Sequence, residues 1–189
     1  MQFPSLITLS ICLLVREFKN VLVAYRRQLM CLQLDSGNNL SLLNEYFHIL
    51  KTLRYLKKVL SLPLLLLTVN AFISLYTALS YFLNNNSGVS TVLESVTNAL
   101  TWCVVLVLVT LSCSGIPDNL LSIKMSAGNL IQQNKRNISN KEALFLLNRI
   151  EKSETVHLTA GGMVDIRKDF LLTAFGALFT YGLLIFNLK

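Results

Sequence analysis

Five residues near the end of the chain recur at helical spacing and include groups suited to contact water inside a membrane. Thr173, Ala177, Thr180, Leu184 and Asn187 are separated by four, three, four and three positions, which places them on one stripe of an α-helix. Uncharged hydroxyl and amide groups suit a weakly selective cation pathway if several copies of the helix surround an axis. A contact face between helices is the alternative, because small residues permit close approach.

The other reactive side chains form no pattern typical of an enzyme or a metal site. His48 and His157 are not part of a Cys/His pattern of the kind that binds zinc, and the four cysteines include no CxxC pair. No Ser-His-Asp order and no phosphate-binding loop is present in the sequence. We therefore predict a protein that is not an enzyme and that uses no metal or cofactor.

The elements that position the stripe are long uncharged stretches. The 189 residues are 53% hydrophobic and only 14% charged, whereas a soluble domain has about 25% charged residues. Residues 1–15, 59–93, 95–117 and 170–188 contain no Asp, Glu, Lys or Arg. A spanning helix needs about 20 apolar residues, so only the first stretch is short. The predicted fold class is an all-α integral membrane protein with three complete transmembrane helices, an N-terminal partial span and cytoplasmic amphipathic helices.

Two amphipathic helices are predicted outside the apolar stretches. Apolar residues from Leu43 to Leu60 alternate with lysines and arginines, and this amphipathic pattern continues without a break into the next apolar stretch, past Pro63. A capping box at 139–142 precedes a second short amphipathic helix. Pro117 is expected to end a span, and Gly161-Gly162 to interrupt the helical pattern.

The predicted organisation follows in chain order. We expect the end of a transmembrane helix over 1–30, a long cytoplasmic helix continuing into a span over 40–83, a span over 92–116, a cytoplasmic anchor segment over 117–169 and a final pore-type span over 170–188.

The distribution of basic residues predicts the orientation. The net charge is +7, and residues 16–58 and 124–168 each contain eight Lys or Arg, whereas residues 84–90 contain none. By the positive-inside rule both basic segments are cytoplasmic, and the C-terminus is extracellular. Because the basic residues flank apolar spans, they indicate contact with the lipid bilayer and not with nucleic acid. The sequon at Asn85 is then a glycosylation candidate on the outer side.

The last helix also contains a short motif. Thr180-Tyr181 is followed by five apolar residues and then by Asn187-Leu188. This resembles the hallmark of arthropod gustatory receptors, seven-span chemoreceptors related to insect odorant receptors, which is Thr-Tyr, five apolar residues and Gln-Phe. Asn keeps the amide of Gln on a shorter arm, and Leu keeps the apolarity of Phe but not its bulk. Residues 158–162 and 165–172 resemble the family's approach to this helix, and the looser resemblance of the whole chain corresponds to roughly the last half of a seven-span receptor.

The resemblance implies a tetrameric, ligand-gated cation channel in the plasma membrane, formed as a homotetramer or with other receptor subunits. The last helix would line the pore for monovalent or divalent cations, with Thr173, Thr180 and Leu184 along the path and Asn187 and Leu188 at the extracellular gate. The 117–169 segment would hold the four subunits together.

The family's ligand site lies among the earlier spans, in the outer half of the membrane. At that depth the chain has Tyr76, Tyr81, Asn98 and Trp102, which suit a sugar or another small organic tastant. An interfacial aromatic belt is the alternative for these residues.

For the whole protein, a non-conducting accessory protein is the alternative. A small transporter ranks behind it, because no inverted repeat or intramembrane charge is seen.

Overall fold

The fold is built almost entirely from helices. The computed structural model describes residues 3–31, 39–83, 88–134 and 141–187. In chain order its elements are α1 (Phe3–Met30), α2 (Asn39–Leu83), α3 (Val89–Asn134), α4 (Lys141–Glu151), β1 (Thr159–Ala160), β2 (Val164–Asp165) and α5 (Lys168–Asn187). The predicted helical class is confirmed, and the one addition to it within the described residues is the short β-hairpin.

The chain divides into two compact units, which are described separately. The hairpin unit contains Met1–Leu13, Leu60–Ser114 and Leu158–Lys189, and so includes the hairpin and α5. The α4 unit contains Leu14–Val59 and Gly115–His157. The helices α1, α2 and α3 each contribute residues to both units.

The α4 unit has a core made from one apolar stripe of each of its four helical segments. The buried residues at helical spacing are Val15, Leu22, Tyr25 and Leu29 from α1; Leu43, Tyr46, Ile49, Leu50 and Leu53 from α2; Ile116, Leu120, Ile123, Ala127 and Leu130 from α3; and Ala143, Leu147 and Ile150 from α4. The amphipathic faces predicted for α2 and α4 are therefore the faces that are buried.

Two tyrosines lie at the centre of this core. The ring centroids of Tyr25 and Tyr46 are 5.9 Å apart. Burial raises the pKa of both phenols, and in Tyr25 the neighbouring Tyr46 raises it further. Both side chains therefore remain neutral at physiological pH, as their position among apolar residues requires.

The helix that contains the predicted span over 92–116 does not stop at Pro117, since α3 continues to Asn134. A proline inside a helix costs about 3 kcal/mol, because it removes a hydrogen bond and its ring crowds the preceding turn. The buried side chains that follow, from Ile116 to Leu130, offset this cost at about 1.5–3 kcal/mol each. The side-chain amide of Asn119 also donates to the carbonyl of Gly115 at 2.7 Å, which satisfies one acceptor beside the proline.

Two helices are long and apolar enough to cross a bilayer, judged by length and composition alone. They are α2, over Leu40–Tyr81, and α3, over Ser90–Gln132. Within the described residues, α1 and α5 do not meet the same criterion. The partial span in α1 and the complete span in α5 stay predictions.

The β-hairpin that precedes α5 contacts α2 through a backbone hydrogen bond of a glycine. Thr159 pairs with Asp165 and Ala160 with Val164, across a turn in which Gly161 and Gly162 have φ of 60° and 71°. The amide of Gly161 donates to the carbonyl of Ser61 at 2.9 Å. The predicted break at Gly161-Gly162 is thus a tight turn, because only glycine adopts positive φ without strain.

Replacing Gly161 by alanine is expected to destabilise the hairpin unit. A Cβ there would lie 2.9 Å from Cδ2 of Leu65, and the left-handed backbone adds about 1–2 kcal/mol for an L-residue. Gly162→Ala is the matched control, because it has the same sign of φ but no atom within 4 Å of its Cβ. Thermal unfolding of the purified chain in detergent should show a larger loss for Gly161→Ala; equal losses would contradict the close contact.

Candidate pore stripe and ligand cavity

α5 packs inside the hairpin unit through one of its faces. Ala174 is buried with Ala71 and Leu106, and Phe170 and Leu171 lie at the edge of this cluster. The rings of Phe170 and Phe72 meet edge to face, with centroids 6.4 Å apart. We call this the packed face of α5.

Further along α5, the packed face continues at Gly182. A Cβ added to Gly182 would lie 3.1 Å from Cδ2 of Leu79. Small residues at Ala71, Ala174 and Gly182 therefore let α2 and α5 approach closely.

The predicted pore stripe lies on a different face of α5. The side chains of Thr173, Ala177, Thr180, Leu184 and Asn187 are all exposed. The hydroxyl of Thr173 donates to the carbonyl of Asp169 at 3.1 Å, and that of Thr180 to the carbonyl of Gly176 at 2.9 Å. Each hydroxyl oxygen keeps a lone pair that can accept a further hydrogen bond, so the stripe presents acceptors outward. None of the described segments of the chain covers the stripe.

A third face of α5 is apolar and also exposed. Leu172 and Phe179 are 78% and 70% exposed, and Leu183 lies beside them on the same side. The bulky residues of α5 are therefore divided between two faces, because Leu171 and Leu178 are partly buried while Phe179 is not. α5 thus has one packed face, one polar exposed face and one apolar exposed face.

The motif residues at the end of α5 are placed as follows. Tyr181 is exposed, and Asn187 is the last residue of the helix. Leu188 and the glycosylation candidate Asn85 lie outside the described residues. The structure therefore describes the amide of the predicted gate but not its apolar partner.

A cavity of about 610 Å³ lies along α3 in the hairpin unit. Its lining comes from α3 and from Ser74 of α2; on α3 the lining residues are Ser90, Leu93, Glu94, Thr97, Asn98, Thr101, Trp102 and Val105. This size falls within the range of about 300–1,000 Å³ that is usual for small-ligand sites. Polar groups along an apolar wall, with one indole ring, suit an uncharged polyol.

The hydrogen bonding of the cavity wall shows which groups are available. The hydroxyls of Thr97 and Thr101 donate to the carbonyls of Leu93 and Thr97, at 2.8 and 2.9 Å. The amide of Asn98 makes no hydrogen bond to another described residue, so both its donor and its acceptor can face a ligand. Asn98 is thus the most versatile polar group in the cavity.

Two of the four residues predicted for ligand binding line this cavity, and two do not. Asn98 and Trp102 are part of the wall. Tyr76 and Tyr81 are exposed elsewhere on α2, which leaves them better suited to an aromatic belt. Sequence reasoning missed Ser90, Glu94 and Thr101, although their spacing with Asn98 and Val105 defines one face of α3 and could have identified them.

Trp102 links the cavity to the packing of α5. Its side chain lines the cavity and also packs against the cluster that contains Ala174. A molecule in the cavity would therefore contact a side chain that supports the packed face of α5.

Comparison with known proteins identifies no relative. No family model, curated protein or solved structure matches the chain. Among the described residues, no three His, Cys, Asp or Glu side chains lie close enough together to hold a metal ion.

Proposed function

We propose that this chain is a subunit of a gustatory-receptor-like chemoreceptor, a ligand-gated cation channel whose pore is lined by α5. The main supporting observation is that α5 leaves its polar stripe uncovered while a separate face packs on its own chain. Lipid cannot use the remaining hydrogen-bonding capacity of the two hydroxyl oxygens and of the Asn187 amide, which favours water or another subunit beside the stripe.

The membrane assignment is supported by where the apolar side chains lie. Only 22% of the apolar window in α2 and 39% of that in α3 are buried, whereas the core helix of a soluble protein would be mostly buried. The exposed large side chains recur at helical spacing, as a lipid-facing stripe requires: Leu62, Leu66, Val69, Ile73 and Tyr76 on α2, and Val96, Leu100, Val104, Leu108 and Leu111 on α3.

In the proposed mechanism a small tastant, such as a sugar, binds in the α3 cavity and displaces Trp102. Because Trp102 supports the cluster around Ala174, its movement shifts α5. Four copies of α5, from identical or related subunits, surround the pore, and their movement opens the gate at Asn187 and Leu188. The C-terminus is extracellular and the receptor lies in the plasma membrane.

Asn187→Ala is expected to change the conductance or gating of ligand-evoked currents several-fold, because it removes the amide at the narrowest part of the proposed path. The measurement is whole-cell current from cells that express the chain with the upstream spans of a seven-span receptor restored, with a panel of sugars as ligands. Leu172→Ala is the control, since Leu172 is exposed on the apolar face of the same helix. If Asn187→Ala changes the currents no more than Leu172→Ala does, the channel is contradicted.

A non-conducting accessory protein is the second candidate. It is favoured by Gly176 and Thr180, which form a pair of small residues four apart on the exposed side of α5. In that case the stripe is a packing seam for another helix. Crosslinking through the stripe in the absence of any conductance would support it.

A further inference from the structure

A second cavity, in the α4 unit, is bordered by basic side chains. Its volume is about 610 Å³ and it lies between α2 and α4. The basic residues are Arg54 from α2 and Arg149 and Lys152 from the α4 region. Phe47, Leu50, Phe145, Asn148, Ser153 and Glu154 complete the lining. Three cations against one carboxylate give the cavity a net positive charge.

The positive charge of these side chains is left without a direct counter-ion. In the part of the chain that the structure describes, neither Arg54, Arg149 nor Lys152 forms an ion pair with a carboxylate. Like charges gathered around a cavity repel one another, and an anion bound between them would relieve that repulsion.

One of the arginines is held in place by an aromatic ring. The guanidinium carbon of Arg149 lies 4.5 Å from the centre of the Phe47 ring. Such stacking covers a face of the guanidinium and leaves its N–H edge free to donate. Arg149 can therefore bind a phosphate in a bidentate manner with less loss of side-chain freedom.

Hydrogen bonds also fix the position of the segment that contains Lys152 and Ser153. The hydroxyls of Tyr46 and Ser153 are 2.8 Å apart, and Ser153 donates to the carbonyl of Ile150 at 2.7 Å. Because Tyr46 is a fully buried residue of α2, its hydrogen bond to Ser153 connects the segment after α4 to α2. Arg54 and Lys152, which come from distant parts of the chain, are thereby kept on the same cavity.

We infer that this cavity binds the phosphate groups of a phosphorylated inositol, either free or as the headgroup of a lipid. The convergent cations recognise phosphate, and the apolar side chains of Phe47 and Phe145 offer a surface for the C–H face of the ring. The site lies within the α4 unit and includes no residue of the pore stripe or of the α3 cavity, so it stands independently of the channel proposal.

The test uses the full chain in phosphatidylcholine nanodiscs at about physiological salt, where weak surface attraction is screened. Fluorescent inositol trisphosphate is the probe, and its binding is followed by anisotropy. The triple variant Arg54→Gln, Arg149→Gln, Lys152→Gln should bind at least about tenfold more weakly. The matched control is Lys51→Gln, Lys57→Gln, Lys58→Gln, which removes the same charge from α2 outside the cavity and should bind less than about threefold more weakly.

Glu154→Gln tests the proposal through an expected gain in binding of the probe. Removing the carboxylate at the cavity should tighten binding of the probe by about twofold to fivefold. Equal losses in the two triple variants, or no saturable binding by the unmodified chain, would overturn the proposal.

A second arm distinguishes the two sources of the headgroup. Nanodiscs that contain phosphatidylinositol bisphosphate are compared with nanodiscs of matched charge that contain phosphatidylserine. If the inositol lipid displaces the probe more strongly, the site takes a lipid headgroup. If the two lipids displace the probe equally, and the cavity variants still bind the probe more weakly than the unmodified chain, the site binds a free inositol phosphate.

Discussion

Ile73→Arg should markedly reduce membrane insertion of the α2 span. Ile73 is 60% exposed and lies near the middle of the apolar stretch. An arginine at the centre of a span costs about 2.5–3.5 kcal/mol, which lowers the equilibrium constant for insertion on the order of a hundredfold. The same substitution on the surface of a soluble protein would change the free energy of unfolding by less than about 0.5 kcal/mol.

The control for this experiment lies on the same helix. Tyr55 is 71% exposed but lies in the amphipathic part of α2, so Tyr55→Arg should insert normally. Insertion is measured by glycosylation of an acceptor site placed in a lengthened 84–88 segment, during translation in the presence of microsomes. If the two variants are glycosylated equally, α2 does not cross the bilayer as proposed.

Cysteines along the exposed stripe of α5 should react with a water-soluble thiosulfonate reagent, while cysteines on its apolar face should not. The variants are Thr173→Cys, Thr180→Cys and Asn187→Cys, against Leu172→Cys, Phe179→Cys and Leu183→Cys. All six residues are exposed in the chain, so burial within the chain does not explain a difference. The reactive form is the thiolate, which is disfavoured in hydrocarbon, so we expect rates that differ by about a hundredfold.

The background for this scan replaces the four native cysteines, and reaction is followed in intact membranes with and without ligand. Three results are distinct. Selective reaction of the stripe supports a water path. Protection of both faces indicates that the stripe is a helix contact, as the accessory candidate requires. Reaction of both faces would show that α5 lies in water.

Much of the helical framework could be predicted from local patterns. Apolar residues at intervals of three and four residues specify which side of α2 and α4 is buried, because the helical repeat places them together whatever their partner is. The long helix Asn39–Leu83 follows from the same pattern, which continues without a break past Pro63. The helical repeat likewise places Thr173, Thr180 and Asn187 on one line, since residues seven apart in a helix share a face.

Two local signals left the structure incompletely predicted. Pro117 is a strong signal for the end of a helix, but the buried stripe from Ile116 to Leu130 outweighs it. Gly161-Gly162 correctly marked a break but gave no indication of strands, because pairing of Thr159 with Asp165 is supported by contact with Ser61, far away in the chain. Both outcomes depend on contacts between distant segments.

The helical class, the apolar stretches and the composition of each helical face can be predicted from the sequence alone, since they depend only on residue type and helical repeat. The tertiary structure decided which of those faces are covered. The stripe of α5 stays exposed because Ala174 and Gly182, on another face, fit closely against α2. In the same way, Arg54 shares a cavity with Arg149 and Lys152 because the buried faces of α2 and α4 pack in one core, and a hydrogen bond from Tyr46 adds to this packing. Such complementarity between segments far apart in the chain cannot be inferred from the periodicity of either segment alone.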